Sequence, residues 1–387
     1  MEDYMKIASI KPMNYKPGEL SYYQFIRGGI GSDFHQEPKF YQYTDHSVMM
    51  YWSAYDFDEC SGNAVKLFSL SDDYGVTWSD PQVFMADFLG GVPYFIHMLR
   101  LAGSERTLMF STRTRHHIEV DKKQHKVLKG SNYFKSSTRI FLRFSQDGGV
   151  TFNQSNEISW SLISGGKELP GTKFYGSIDN VIQLSSGRII AAFTFMDPAR
   201  IGDLSKPVQH FTGACLLSDD GGETWVRSGE ITSNTPRGVM EIQMAEIGSD
   251  RLIALFRTKG GFVYQTFSTD GGLTWSDSQP SPLTAPESMT RMIKLKNGNL
   301  LAVWNNTSSV TQYPRHPLVV ALSEDGGASW SQPKVISDET GTNQLSNHGV
   351  IQLDDGRILL GVSHYRSVYP PTSDLDFAVF DEEWLMK

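Results

Sequence analysis

The sequence predicts an all-β protein, a six-bladed β-propeller, on three observations. An eight-residue turn motif occurs five times, an apolar hairpin pattern occurs six times, and no long run has helical spacing. The motif copies are SDDYGVTW from Ser71, SQDGGVTF from Ser145, SDDGGETW from Ser218, STDGGLTW from Ser268 and SEDGGASW from Ser323. Their starts are separated by 74, 73, 50 and 55 residues. The second pattern is an apolar strand, a polar turn and another apolar strand. It reads NVIQLSSGRIIAAF, IQMAEIGSDRLIALF, RMIKLKNGNLLAVW and GVIQLDDGRILLGV, with weaker copies in YFIHMLRLAGSERTLMF and PKFYQYTDHSVMMYW.

Each element has a local cause. In the turn motif the Ser and Asp side chains can bond backbone amides of the turn, Gly supplies positive φ, and the aromatic plugs the turn from below. The motif therefore joins the outer strands of a blade, and its Asp residues are turn formers rather than acids or metal ligands. The six apolar hairpins supply the inner strands. Four-stranded blades around a channel remove exposed edges by ring closure. The sixth turn motif is eroded near SDLDFAVFDEEW, and the last blade is expected to be completed by the N-terminal segment 1–34, near Tyr22 to Arg27. The whole chain, 1–387, is read as one domain.

Composition bounds the function. The chain has 387 residues, with 35 Lys plus Arg against 43 Asp plus Glu, a formal net charge of −8. That balance argues against nucleic acid and against an anionic membrane surface as partners. Apolar runs fall far short of the ~18 residues that cross a bilayer. The N-terminus has neither a basic start nor an apolar core, so a cytoplasmic location is the expectation. Cys60 and Cys215 lie in no metal-like pair, no ligand cluster has recognisable spacing, and neither a metal nor another cofactor is expected. Oligomeric state is left open.

The turn motifs and hairpins resemble the Asp-box (BNR) repeats of the sialidase superfamily, from about residue 35 to the end. The resemblance implies a propeller of sialidase type, a carbohydrate substrate, and a site at the mouth of the axial channel. Counting nine residues back from each hairpin turn places Gln36, Glu241 and Asn347 together at inner-strand starts. Sialidases hold a substrate carboxylate with three arginines, pair a Tyr nucleophile with a Glu, and use a loop Asp as acid/base. Arginine forks match carboxylates, and a neutral Tyr avoids setting a carboxylate against an anionic sugar.

The resemblance carries Glu241 to the Glu, Arg257 to the central arginine and Arg315 to the third. Two positions depart. His35-Gln36-Glu37-Pro38 sets Gln36 where the first arginine stands, and Ser346-Asn347-His348-Gly349 sets Asn347 where the Tyr stands. Candidate replacements follow. His35 and His348 suit acid/base work near neutrality. Asp58, or its neighbour Glu59, lies on the loop that carries the acid. Tyr365, beside His364, is a relocated nucleophile or a stacking platform. Arg113, with Arg115, His116 and His117, Arg291, and the group Tyr175, Asp179 and Asn180 complete the substrate-binding candidates.

Three functions fit: an exo-acting glycoside hydrolase for a terminal, acidic sugar with altered chemistry; a polysaccharide lyase using His35, His348 and Tyr365 on a uronate; and a non-catalytic glycan-binding propeller.

Overall fold

A computed structural model describes residues 13–29, 32–43, 46–55, 64–86, 92–115, 119–121, 123, 126–129, 137–153, 155–167, 176–200, 202, 208–338, 344–367 and 371–387. They form antiparallel sheets, with two five-residue helices, Trp160–Ser164 and Glu382–Met386. No helix among them is long and apolar enough to cross a membrane.

The chain divides into two compact units. The first takes Met1–Ala86, Gly260–Val263 and Pro280–Lys387. It holds an eight-stranded sheet in which the strands from Gln344–Gln352 to Thr372–Phe380 run on into those from Phe34–Gln42 to Gln82–Ala86. The joint is a short parallel bridge between Phe34 and Ser373. The strand Ser21–Ile26 adds antiparallel to Thr372–Phe380. The four-stranded sheet from Arg291–Lys294 to Lys334–Ser337 belongs here too.

The second unit takes Asp87–Lys259 and Tyr264–Gln279. One of its sheets pairs Val92–Arg100, Thr107–Arg115, Ser137–Ser145 and Asn156–Ile158; another runs from Gly176–Gln183 to Val226–Arg227. A third, with most of its residues in this unit, begins at Met240–Gly248 and Arg251–Arg257.

Middle strands are apolar because both of their faces are covered. Val48–Tyr55, Ile189–Met196 and Phe211–Ser218 are buried along their whole lengths. In the first unit Phe25, Trp52, Leu359 and Phe377 share one core, and Val320, Leu301, Leu360 and Phe380 another. In the second, Phe110 and Phe193 pack in one core, and Ile190, Val239 and Phe256 in another.

The five turn motifs share one Ser–Asp–Gly geometry, and in the first and third the indole also bonds the turn. In the first, Ser71 Oγ donates to Asp73 Oδ1 at 2.8 Å and accepts from Gly75 N at 2.8 Å, where φ is +82°. Asp73 Oδ1 accepts from Thr77 N, and the Trp78 indole donates to Gly75 O. The hydroxyls of Thr224 and Ser329 help hold Asp220 and Asp325 down at about 2. These carboxyls stay ionised and do turn chemistry, not acid catalysis. At the eroded sixth copy, Asp381 caps the helix Glu382–Met386 through Trp384 N and also accepts from Tyr15 Oη and Gly18 N. The register sets Phe380 where the motif has its Ser, and Asp381, the next residue, ties down the N-terminal segment.

Close backbone approach sets one tight constraint in the first unit. Gly349 and Gly361 face each other across a strand pair, and Pro38 packs on both. A Cβ at Gly349 would stand 2.0 Å from Pro38 O, and one at Gly361 2.7 Å from Pro38 Cβ. Backbone cannot yield there as a flexible side chain would. Gly349→Ala is expected to destabilise the protein by roughly 2–4 kcal/mol in urea unfolding, as overpacking against fixed atoms does.

Candidate active site

The inner strands are not regular at their starts. In three of them, two residues face one on the partner strand. Glu37 and Pro38 are inserted between the pairs Gln36–Ser53 and Lys39–Tyr51. Glu241 and Ile242 lie between Met240–Arg257 and Gln243–Leu255. Asn347 and His348 lie between Ser346–Ser363 and Gly349–Gly361. Glu37, Glu241 and Asn347 each take a left-handed backbone, with φ of 59°, 55° and 47°. Such bulges re-aim a side chain out of the strand's alternation. The register corrects one expectation: Glu37, not Gln36, is the counterpart of Glu241 and Asn347. Gln36 precedes the bulge, is paired with Ser53 and is buried. Counting along the sequence cannot see the inserted residue.

In the second unit, Arg257 Nη1 donates to both Glu241 oxygens at 3.1 and 3.2 Å. The pair is mostly covered, with side-chain exposures of 11% for Arg257 and 21% for Glu241. Beneath it lies Asp179, buried, its carboxyl accepting from Ser177 Oγ at 2.8 Å and from Ile242 N at 3.2 Å. Burial above all, with the Glu241 charge adding, pushes Asp179 up to about 7, against the opposing hydrogen bonds. Asn180 accepts from Met244 N. Arg113 is half-buried on Thr107–Arg115, opposite Arg139, and Arg115 is exposed.

In the first unit the bulge residue Glu37 is buried with Lys66. Glu37 Oε2 accepts from Lys66 Nζ at 3.2 Å and from Ser53 Oγ at 2.9 Å, and Lys66 also donates to Ser53. Burial pulls the Lys66 ammonium below its ordinary value, and the Glu37 carboxylate opposes that. Glu37 N donates to Ser363 Oγ, which donates on to the Asn347 carbonyl. One serine thus joins two bulges. Sequence reading passed over this pair. The signal was a lysine inside the strand VKLFSLS, where a charge needs a partner.

The histidines are placed against their expected role. His35 is 3% exposed and its Nδ1 accepts the Trp52 indole N–H at 3.1 Å. His348 is fully buried and its Nε2 meets Val303 O at 2.9 Å. Both are corrected from acid/base candidates to packing residues, because each ring is buried and bonded within its sheets. Arg291 Nε donates to the His348 carbonyl at 2.8 Å. Arg315 is buried and donates to the carbonyls of Gln312 and Glu287. Asn347 is half-buried. Tyr365 stacks on Phe34, ring centres 5.9 Å apart, which is packing at the strand end.

His364, Asp374 and Asp376 are close enough for three ligand atoms to meet one metal ion. Their bonds are to the protein instead. Asp374 accepts from Arg366, Gln24 and Gly28 N, and Asp376 from His364 and Tyr22. The network fastens the strand Ser21–Ile26 to its neighbours. Asp58, Glu59, His116, His117 and Tyr175 lie outside the described residues.

Residues 125–370 match the BNR repeat-like domain. The chain belongs to the BNR repeat-like family. Among curated proteins it is similar to a sialidase of Bacteroides fragilis, 25% identical over 222 residues, covering 54% of this chain. The match spans 36% of that relative, little more than a third of its length. Among solved structures it resembles the NanB sialidase of Streptococcus pneumoniae, at 14% identity and a TM-score of 0.66, over 93% of this chain and 70% of that one. It also resembles a protein of unknown function from Dyadobacter fermentans, at 16% identity and a TM-score of 0.70, over 95% of this chain and all of the other. These likenesses establish the sialidase-type β-propeller as the fold of this BNR-repeat protein.

The buried Glu37–Lys66 pair generates a stability test. Lys66→Met leaves an uncompensated buried carboxylate and is expected to cost about 3–5 kcal/mol. Adding Glu37→Gln should restore roughly half or more of the loss, a coupling that urea unfolding of the double-mutant cycle measures directly.

Proposed function

We propose that this BNR-repeat protein is a sialidase-like, exo-acting glycoside hydrolase for a terminal, acidic sugar, with chemistry altered from that of a standard sialidase. The observation that carries the reading is the Glu241–Arg257 pair at a strand bulge. The guanidinium supplies positive charge for a sugar carboxylate and pairs with Glu241 beside it. A carboxylate fixed in that way can take a proton from an attacking group. The relatives named as sialidases support glycans as the substrate class.

The alteration lies at Asn347. An amide cannot form the covalent intermediate that a phenolate forms, so in this reading water is the attacking group, and Glu241 is the base that prepares it. Asp58 is the acid that protonates the leaving oxygen. Arg315 and Arg291, both buried in the first unit, donate to backbone carbonyls and would shape their loops and strand starts. The lyase reading loses support because its two histidine bases are enclosed.

Incubation with 3′-sialyllactose and with oligosaccharides bearing terminal uronates tests the reaction class. Hydrolysis adds one water to the products, whereas elimination leaves an unsaturated, ultraviolet-absorbing sugar. On the active substrate, Glu241→Gln and Arg257→Ala should each lower kcat/KM by about 100-fold or more, the size of losing a charged group that meets the transition state. Unchanged turnover in both variants would sink the assignment. Binding without turnover on every substrate would make this a glycan-binding propeller.

A further inference from the structure

Asp179 sits where the strand Gly176–Gln183 shifts register, between Ile178 and Asn180. Its carboxyl lies beneath the bulge that carries Glu241. The Ile242 N–H, the first after Glu241, donates to Asp179 Oδ2. Gln243 Nε2 donates to the Asp179 carbonyl at 3.2 Å, and Met244 N donates to Asn180 Oδ1 at 3.1 Å. The strand that presents Glu241 therefore hangs by three successive residues from Asp179 and Asn180. Losing these bonds would free the bulge whose left-handed turn aims Glu241 at Arg257.

The electrostatics of the spot are unusual. The groups that meet the Asp179 carboxyl are the Ser177 hydroxyl on its own strand, the Thr194 hydroxyl on the next strand and the Ile242 amide. The charged group that acts on it is Glu241, another carboxylate, and the buried Cys215 thiol feels its charge from a third strand. Two neighbouring carboxylates, one already held by Arg257, do not both ionise at low cost in a buried place.

We propose that Asp179 is a positioning residue for the Glu241–Arg257 pair and works as a protonated acid. With its proton it adds no charge beneath Glu241, and the pair receives an anionic sugar. Without it, a second buried negative charge lies under the site and anion binding weakens. This deepens the glycan-hydrolase reading and rests on it for the identity of the ligand. Its ionisation, pushed up to about 7 chiefly by burial, places the change at neutral pH.

The sign for stability follows from proton counts. Between its ordinary value of 3.8 and about 7, the folded state keeps a proton that the unfolded chain has released. The contribution of Asp179 to stability is thus full below pH 3.8 and is lost as pH rises towards 7. Asp179→Asn removes that loss.

The experiment has two arms. In urea unfolding from pH 4 to pH 8, the stability of wild type relative to Asp179→Asn should fall as pH rises and level off near pH 7. In calorimetry, wild type should bind 3′-sialyllactose about fivefold more weakly at pH 8 than at pH 6, the effect over that range of a one-unit coupled shift, while Asp179→Asn binds without that change. Should Asp179→Asn not fold, Glu241→Gln supplies the same unfolding readout, because removing the neighbouring charge must move the wild-type transition to lower pH. Parallel unfolding profiles, or a transition that Glu241→Gln does not move, overturn the proposal whatever the sugar does. Separated profiles with no binding of any acidic sugar keep the proton on Asp179 and overturn the glycan reading instead. Binding whose pH dependence survives in Asp179→Asn overturns the positioning role.

Discussion

A single extra residue at the start of an inner strand organises the candidate site. A strand alternates its side chains with period two, so a regular start would send neighbouring residues to opposite faces. The bulge breaks that rule. Glu37, Glu241 and Asn347 each sit on left-handed backbone, which costs a non-glycine residue on the order of 1 kcal/mol or more. Backbone bonds to neighbouring strands offset the cost. Glu37 N reaches Ser363, and Ile242 N, beside Glu241, reaches Asp179. The strain is over-determined by its surroundings, which is the condition under which such conformations persist at functional positions.

The bulges share a backbone but not an electrostatic setting. Glu37 is closed off with Lys66 and the Ser53 hydroxyl, a neutral and self-contained unit. Such a pair gains little net stability over apolar residues of the same volume, but it is costly to break from one side. Glu241 has the opposite arrangement. Its counter-ion Arg257 is mostly covered with it, and the group below it is a second acid. The second arrangement sets two carboxyls close together, and that of Asp179 is pushed up to about 7. Equivalent positions in the fold have thus been turned to structural and chemical use by their partners rather than by their own side chains, since both are glutamates.

The strands and turns were legible in the sequence because their causes are local. A Ser, an Asp, a Gly and an aromatic at fixed spacing close the same turn five times, and apolar runs around polar turns mark the paired strands. The site was legible only in part. Glu241 and Arg257 were found because they end strands that pair directly, sixteen residues apart. Gln36 was placed one residue off because a bulge adds length without leaving a compositional mark. His35 and His348 read as acid/base candidates from residue type alone, yet tertiary packing encloses both rings. The Glu37–Lys66 pair joins residues 29 apart in sequence, on strands that do not adjoin each other in the sheet. Strand periodicity alone does not report that contact.

The eroded turn motif carries the same lesson to the end of the chain. In five copies the Asp accepts from its own turn and stays ionised there. Where the sixth copy would begin, Asp381 spends its acceptor capacity on a helix cap, Tyr15 and Gly18. Asp374 and Asp376, in the strand just before it, take Gln24, Gly28 and Tyr22. These acids, in the last strand and just after it, are the ones that fasten the N-terminal segment. Bringing together residues some 350 positions apart costs more chain entropy than closing a turn of four, and the carboxylate bonds to Tyr22 and Gln24 help to offset that cost. The loss of a motif from a repeat is in this case a gain of closure.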